Sequence, residues 1–326
     1  MIEYTEKNSK RWAVLGERPA FGLAVLELAK DDSSIIAVVA DTTNSSGLER
    51  LKNMLPDQLV NVGIAEQNMM GIATGLASEG FKVVTNTFAP FQAIRCLEQI
   101  RVNQGYMKQK VVMAGLASGV AYGELGHTHC CLEDVSILRS IPNIAVLVPA
   151  DCTEVVKCVE AAVAYNQSVY IRLMDKTNVP VVYNGDYEFE IGKAVRLRED
   201  GDIAVIANGP MVARAIEAAN ALKEEGIDIS VYDMHTVKPV DSELVKELCR
   251  TKKAIITVEE HSVIGGLGSA VLESMASDMN RIPLFMMGVP DEFCHGASHD
   301  TILSGYHLDR DGIIDKVKCV MEDIKK

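Results

Sequence analysis

The feature that most constrains the fold is an alternation of short, wholly apolar runs with helical segments along the chain. Ser34–Ala40 reads SIIAVVA, and Ile144–Val148 is a second run of this kind. Between Thr153 and Tyr165 the valines recur at helical spacing, after which Val169–Leu173 resumes the strand pattern. Strands that are apolar on both faces and separated by helices are typical of parallel sheets covered by helices on both sides.

The alternation stops once and then starts again, which indicates two domains. It returns with Asp202–Ala207 and a predicted helix over Met211–Glu225. A chain of 326 residues has room for two domains at roughly 150 residues each. We therefore predict an α/β protein with two doubly wound, mainly parallel-sheet domains, residues 1–178 and 192–326, joined by a linker over residues 179–191.

Charge and cysteine content indicate which binding partners and which cellular compartment to expect. The chain has 32 Lys and Arg against 45 Asp and Glu, a net charge of −13, and such a surface repels nucleic acid and anionic lipid. No apolar run reaches the ~20 residues of a membrane span, and the polar start, Met1–Trp12, is unlike a signal peptide. The eight cysteines form no C-x-x-C pair and no metal-ligand spacing. We therefore expect a cytoplasmic protein with reduced thiols and no metal site of its own.

A glutamate at the start of a predicted helix is the first candidate for chemistry. Leu59–Val62 is predicted to be a short strand, and the helix opens near Ala65. Glu66 then falls in the first helical turn, close to the carboxyl end of the strand, where open α/β sheets bind their ligands. The alternative is that Glu66 only complements the helix dipole.

Two aromatic residues and a glycine-rich loop are further candidates. Phe88 and Phe91 follow a predicted strand at Lys82–Val84, and they are either core residues or a stacking platform for a flat ring. The loop carries His127 and His129, which can donate or shuttle protons near neutral pH, and its glycines let the backbone approach a ligand. The alternative for this loop is a surface turn with incidental histidines.

These candidates occur in the order and spacing of a known family. Nearly all of the chain resembles the carboxyl-terminal half of transketolase, that is, its pyrimidine-binding domain followed by its C-terminal domain. The segments that carry the resemblance are Val62-Gly-Ile-Ala-Glu66-Gln, Thr87-Phe88-Ala-Pro-Phe91, Met107-Lys-Gln-Lys, Gly123-Glu-Leu-Gly-His-Thr-His129, Pro149-Ala-Asp151 and Gly265-Gly-Leu-Gly.

The resemblance implies thiamine diphosphate as cofactor. In such enzymes a carboxyl group hydrogen-bonded to ring N1′ drives the tautomer that forms the reactive carbanion, and Glu66 matches that group. Phe88 and Phe91 match positions whose rings pack on the aminopyrimidine, and Asp41 matches an aspartate on the cofactor side. His129 matches a histidine that binds substrate hydroxyls beside the reacting carbon, so Glu66 and His129 are the expected catalytic residues.

Other matching positions concern the substrate. Arg18 and Ser45 resemble family residues that reach a sugar-phosphate tail. The family has a histidine where this chain has Ala117, and we hypothesise that His127 partly replaces it. The phosphate-binding arginine of the family is Asp175 here, where a carboxylate repels phosphate unless the neighbouring lysine takes over.

Two further departures lie near the expected site. Leu125 stands where the family has an aspartate that contacts a sugar hydroxyl, and Ile94 stands where it has a third aromatic ring. These changes leave cofactor activation intact. The sequence therefore leaves the sugar tail open between phosphate, sulfonate and a neutral group.

One family motif is absent, and its absence implies a partner. The family binds the diphosphate through Mg²⁺ on a Gly-Asp-Gly motif in an N-terminal domain. Here the only Gly-Asp pairs, at Gly185 and Gly201, are followed by Tyr187 and Ile203. The resemblance thus implies a split transketolase acting on sugars, in which a separate N-terminal subunit supplies the Gly-Asp-Gly and Mg²⁺ half-site. Self-association through the pyrimidine-binding domain would give an α2β2 heterotetramer.

Two alternatives are open on the sequence. The chain is half of a related thiamine enzyme, either deoxyxylulose-phosphate synthase or the beta subunit of a 2-oxo acid dehydrogenase, or it is a non-catalytic dimerisation or regulatory module. The lack of arginine in Ala114–Tyr122 disfavours the synthase. Glu66, Phe88 and Phe91 disfavour the module, because a fold alone does not demand them. In the second domain, Glu259–His261 is expected to be structural or interfacial.

Overall fold

The computed structural model describes residues 2–276 and 279–324, which form two α/β domains with mainly parallel sheets, as predicted. The first sheet has seven strands, and six of them come from residues 35–172. These six are β1 (Ile35–Val39), β2 (Leu59–Asn61), β3 (Lys82–Phe88), β4 (Val111–Leu116), β5 (Ile144–Leu147) and β6 (Ser168–Arg172). They are parallel to one another and lie in the spatial order β5-β6-β4-β3-β1-β2.

Helices cover both faces of this sheet. They are α1 (Glu6–Leu15), α2 (Glu17–Asp31), α3 (Glu49–Met54), α4 (Glu66–Ser78), α5 (Leu97–Gln99), α6 (Asp134–Arg139) and α7 (Cys152–Ala164). Short 3₁₀ turns at Pro56–Gln58 and Gly123–Thr128 and π-helical segments at Phe91–Arg95 and Ile100–Tyr106 complete the domain.

The sequence pattern explains why α7 forms and how it packs. The Asp151 carboxylate accepts the Glu154 N–H at 2.9 Å and caps the helix. The apolar stripe that includes Val155 and Val159 is fully buried against α2 and the sheet. Burial of each such side chain contributes about 1.5–3 kcal/mol.

The second domain is built on a five-stranded sheet of β7 (Val195–Glu199), β8 (Ile203–Ala207), β9 (Ser230–Asp233), β11 (Ala254–Ser262) and β12 (Leu284–Val289). These strands lie in the order β12-β11-β8-β9-β7, and among them only β7 is antiparallel to its neighbour. Its helices are α8 (Met211–Glu224), α9 (Ser242–Thr251), α10 (Leu267–Ala276), α11 (His299–Gly305) and α12 (Arg310–Asp323). None of the helices in the described ranges combines the length and the apolar character needed to cross a bilayer.

One strand of the second half of the chain crosses into the first sheet. Strand β10 (Thr236–Lys238) pairs antiparallel with β5 and forms the edge of the seven-stranded sheet. The sequence pattern did not reveal it, because three residues are too few for a periodicity to show. The second domain therefore holds the first partly through backbone hydrogen bonds.

The stretch predicted as a linker packs between the domains. No helix or strand is assigned to residues 173–194. Tyr183 and Tyr187 stack with ring centroids 3.8 Å apart. The Tyr183 hydroxyl donates to Asp233 at 2.7 Å, and the Tyr187 hydroxyl donates to Glu154 at 2.8 Å. Burial raises the pKa of both carboxyl groups. Because Glu154 belongs to α7 of the first domain and Asp233 to β9 of the second, these buried hydrogen bonds fix the segment to both domains.

Candidate active site

Glu66 is the first residue of α4, immediately after β2 and the turn that follows it. Its side chain is only 6% exposed, and its Oε1 lies 2.9 Å from Nη1 of Arg95. The Gln67 side chain also donates to the Arg95 carbonyl at 3.2 Å. The carboxylate thus lies at the carboxyl edge of the sheet, where the sequence predicted it, and it has a partner that the sequence did not reveal.

Four rings form a cluster beside this carboxylate. The Phe88 centroid lies 6.1 Å from Phe91, 5.8 Å from Tyr122 and 6.2 Å from His129. Phe91 and His129 are 6.0 Å apart. Phe88 and Phe91 are both half-buried, so these rings are not wholly in the core and can offer a surface to a ligand.

The loop that carries the two histidines is closed at its base. Gly119 and Cys131 exchange both backbone hydrogen bonds, at 2.9 and 2.8 Å. Gly119 and Gly126 have φ of +61° and +67°, left-handed conformations that glycine adopts without strain. His129 faces the ring cluster, and its Nδ1 lies 3.0 Å from the Thr128 hydroxyl.

The ring of the second histidine, His127, lies outside the ring cluster. The His127 ring packs at 4.5 Å on Phe293, which belongs to the second domain. Its Nε2 is buried and has no hydrogen-bond partner among the described residues. The structure therefore brings His129, Phe88 and Phe91 together and leaves His127 on the other side of the loop.

The second domain also holds the base of this loop. Glu260, at the end of β11, is fully buried, and its Oε1 accepts the Val120 N–H at 2.9 Å. Its Oε2 lies 2.9 Å from Nε2 of His299. Burial alone would raise the pKa of Glu260, but the charge and hydrogen bond of His299 bring it below its usual value. The expectation that Glu259–His261 is interfacial agrees with this contact.

Arg18, one of the two residues expected to reach the sugar tail, lines a shallow cleft of about 260 Å³ together with Asn44, Asp175 and Lys176, and Ser45 is not among the lining residues. Arg18 Nε lies 2.5 Å from Asp175 Oδ1. Ser45 is half-buried and directly follows Asn44 in the chain.

Asp175 also accepts a hydrogen bond from the Tyr122 hydroxyl, which links the cleft to the ring cluster. Burial, together with the Asp175 carboxylate, raises the pKa of Tyr122 to about 12. Lys176 does not neutralise Asp175, since its Nζ lies 3.6 Å from Asp300. The cleft therefore presents a paired arginine and aspartate rather than a free positive charge.

Asp41 lies further along the same sheet edge. It is exposed and has a φ of +60°. Its backbone N–H donates to Asn61 Oδ1 at 3.0 Å, and the Asn61 amide donates back to Asp41 Oδ1 at 3.3 Å. This reciprocal pair holds the carboxylate at the end of β1.

Three of the four departures from the family pattern, those other than Asp175, differ in exposure. Ala117 is fully buried with a φ of +51°. Leu125 is 57% exposed and Ile94 is 43% exposed. Ala117 is thus closed off from ligand, whereas Leu125 and Ile94 add apolar surface around the site.

Arg95 and Tyr122 are the site residues that sequence reasoning missed. Arg95 follows Phe91 by four positions, a spacing that places side chains on one face of a helical turn. Tyr122 lies in the glycine-rich loop among the residues already singled out. In the described part of the chain no three His, Cys, Asp or Glu side chains are grouped in a way that could hold a metal ion.

The fold and the candidate site define a class of protein: a two-domain α/β protein whose candidate site lies at the carboxyl edge of the first sheet. The family model for the transketolase pyrimidine-binding domain matches residues 16–180, and that for the transketolase C-terminal domain matches residues 192–313. The chain belongs to the transketolase family, as the resemblance indicated.

Its relatives include named transketolase subunits. It is 41% identical to an apulose-4-phosphate transketolase subunit of Phocaeicola vulgatus, over 95% of this chain and 97% of that protein. It is 39% identical to a 6-deoxy-6-sulfo-D-fructose transketolase subunit of a Clostridium species, over 82% and 83%. A solved structure described as a split gene transketolase, inactive beta4 tetramer, is 38% identical, with a TM-score of 0.83 over 93% of this chain and 97% of that one.

The alternative of a synthase half has weaker support. The chain spans less than half the length of the 1-deoxy-D-xylulose-5-phosphate synthases that it resembles. By contrast, it spans nearly the whole of the transketolase subunit from Phocaeicola vulgatus. The comparisons therefore favour the split transketolase.

Proposed function

We propose that this chain is the C-terminal subunit of a two-chain, thiamine diphosphate-dependent transketolase. The complete enzyme would transfer a two-carbon ketol unit from a ketose to an aldose. The observation that carries the proposal is the buried Glu66 carboxylate at a helix start beside the rings of Phe88, Phe91 and His129.

The residues present fit the aminopyrimidine part of the cofactor. The planar guanidinium of Arg95 already lies 4.0 Å above the Phe91 ring while it contacts Glu66. This position therefore accepts a flat group that carries a hydrogen-bond donor. When bound, the cofactor would supply a nucleophilic carbon for reaction at the ketose carbonyl.

The chain's own residues would have distinct roles in this site. Glu66 would hold the proton at ring N1′, and Phe88 and Phe91 would pack on the pyrimidine. Asp41 would contact the cofactor from the end of β1. His129, whose Nδ1 bonds Thr128, would present Nε2 to a substrate hydroxyl.

Three residues are proposed to bind the rest of the sugar. Arg18 and Ser45 would reach its tail in the cleft. His127 would contact the substrate only after its ring leaves Phe293, on which it packs in the free subunit. Because Asp175 balances the charge of Arg18 at 2.5 Å, we propose that the cleft prefers a hydroxylated tail to a doubly charged phosphate.

The missing half of the site would come from an N-terminal subunit with a Gly-Asp-Gly motif that binds Mg²⁺ and the diphosphate. Exposed apolar side chains near the candidate site support such a contact, because large apolar patches mark protein interfaces. They include Ile64 (79% exposed), Ile94 and Leu125. We propose an α2β2 assembly in the cytoplasm, where the eight free cysteines stay reduced.

We also propose the domain limits given above: the pyrimidine-binding domain over residues 1–178, a connector over 179–191 and the C-terminal domain over 192–326. The matches of the two family models, which end at residue 180 and begin at residue 192, support these limits. Strand β10 lies within residues 192–326 in the sequence but pairs with the sheet of the pyrimidine-binding domain.

A calorimetric titration with thiamine diphosphate and Mg²⁺ tests the proposal. The samples are this chain alone, the Gly-Asp-Gly subunit alone, and the two mixed. We expect measurable binding only in the mixture, followed by ketol transfer when donor and acceptor sugars are added. Tight binding by this chain alone would refute a shared site, and binding without transfer by the mixture would refute transketolase activity.

A further inference from the structure

Arg95 makes two contacts that converge on the candidate pyrimidine site. Its Nη1 lies 2.9 Å from Glu66 Oε1, and its guanidinium carbon lies 4.0 Å above the centroid of Phe91. The guanidinium is flat, carries N–H donors and stacks on an aromatic face. It therefore bonds the carboxylate and covers the ring at the same time.

An aminopyrimidine with the proposed contacts would need the same two surfaces. It would place one flat face on Phe91 and a ring nitrogen on Glu66. The guanidinium and the pyrimidine cannot both lie on the same face of Phe91, because ring and guanidinium are each about 3.5 Å thick. One must leave when the other arrives.

We propose that Arg95 fills the pyrimidine position in the free subunit and is displaced when the cofactor binds, so that it sets the cofactor affinity. This inference rests on the proposed function, because the two contacts matter only if Glu66 and Phe91 receive the pyrimidine. In the free subunit Arg95 pairs the Glu66 carboxylate, which would otherwise be buried without a counter-ion.

The position of Arg95 allows such a displacement. Its side chain is 45% exposed, so it can move into solvent. The Gln67 side chain holds the Arg95 carbonyl, so the backbone can stay in place while the side chain swings away. A partly exposed ion pair and one cation–π contact are both modest interactions, and together they correspond to roughly a five- to tenfold effect on binding.

The test is the dissociation constant of thiamine diphosphate for the complex with the N-terminal subunit, measured by calorimetry with Mg²⁺ in excess. Arg95→Gln removes both contacts, and we expect about five- to tenfold tighter binding. Arg95→Lys keeps the charge but loses the flat guanidinium, so its dissociation constant should lie between those of the wild type and Arg95→Gln. Arg101→Gln is the matched control, because Arg101 follows in the same helical region and pairs with Glu98 on the surface.

The outcomes separate this inference from the proposed function. If the wild-type complex binds the cofactor and Arg95→Gln binds it equally well or more weakly, Arg95 does not compete with the pyrimidine and the inference is wrong. If the wild-type complex does not bind the cofactor, the shared site itself fails, and a displaced Arg95 fails with it. Circular-dichroism melting of each variant checks that the fold is kept.

Discussion

Replacing Glu260 by alanine would test whether the second domain organises the loop of the first domain that carries Tyr122 and His129. Glu260 belongs to β11, yet its two oxygens bond Val120 at 2.9 Å and His299 at 2.9 Å. Gly119 packs so closely on the carboxylate that an added Cβ would lie 2.3 Å from Oε1. The carboxylate therefore joins the loop that carries Tyr122 and His129 to the start of α11.

The size of the effect follows from these contacts. Alanine leaves the buried Val120 N–H without an acceptor, which costs about 1–3 kcal/mol. It also takes the buried partner from His299, and breaking such a pair costs about 3–5 kcal/mol in all. The two costs overlap, so we expect a loss of about 3–5 kcal/mol in the free energy of unfolding. Glu260→Gln keeps an acceptor for Val120 and should lose about half as much.

Two assays measure the consequence. Urea unfolding of the free subunit gives the loss of stability. In the complex we expect Glu260→Ala to lower kcat at least tenfold with little change in cofactor affinity, because His129 lies on the loop and Glu66 and Phe91 do not. Glu273→Ala is the control, since Glu273 also bridges the domains, to Arg139 at 2.6 Å, but is 67% exposed and should cost under about 1 kcal/mol. A stability loss no larger than that of the control, or a cofactor affinity that falls in step with kcat, would refute the reasoning.

Three further substitutions give distinct readouts. Burial raises the pKa of Glu17 from 4.5 to about 8, so the folded state holds an extra proton in this window and stability falls as pH rises through it. Glu17→Gln should remove a slope worth up to about 4 kcal/mol between pH 5 and 8.5 in urea unfolding, and an unchanged slope would contradict this. Asp175→Asn should free Arg18 and lower KM for phosphorylated sugars about three- to tenfold relative to unphosphorylated ones, and an unchanged KM ratio would argue against the proposed tail preference. Glu66→Gln should reduce kcat of the complex by about 10²-fold or more, and near-normal turnover would remove Glu66 from catalysis.

What the sequence predicted well depends on local patterns. The runs at Ser34–Ala40 and Ile144–Val148 contain the strands Ile35–Val39 and Ile144–Leu147, because burial on both faces requires an unbroken apolar run. Strand β10 was missed because its three residues owe their conformation to pairing with β5. The position of Glu66 followed from a strand–helix boundary that the sequence marks.

The contacts of the site were harder to predict than its members. The Arg18–Asp175 pair joins residues 157 positions apart in the chain, and the Glu260 bond to Val120 spans 140. No periodicity in the sequence reports such pairs, since they depend on how two sheets and their loops are placed in space. The family pattern identified Asp175 as a departure, and only the structure gave it a partner.

If the chain holds half of an active site, as proposed, the charges at the site explain how that half can be stable before it is complete. Glu66 is paired with Arg95 and Asp175 with Arg18, at 2.9 and 2.5 Å. A buried carboxylate without a counter-ion would cost several kcal/mol, so each pair removes a penalty that the free subunit would otherwise carry. The same pairs must loosen when a cofactor or a charged substrate takes one member, and the arginine in each pair is 30–45% exposed and able to move. The contacts that stabilise the separate subunit therefore weaken the binding of cofactor and substrate by the complex.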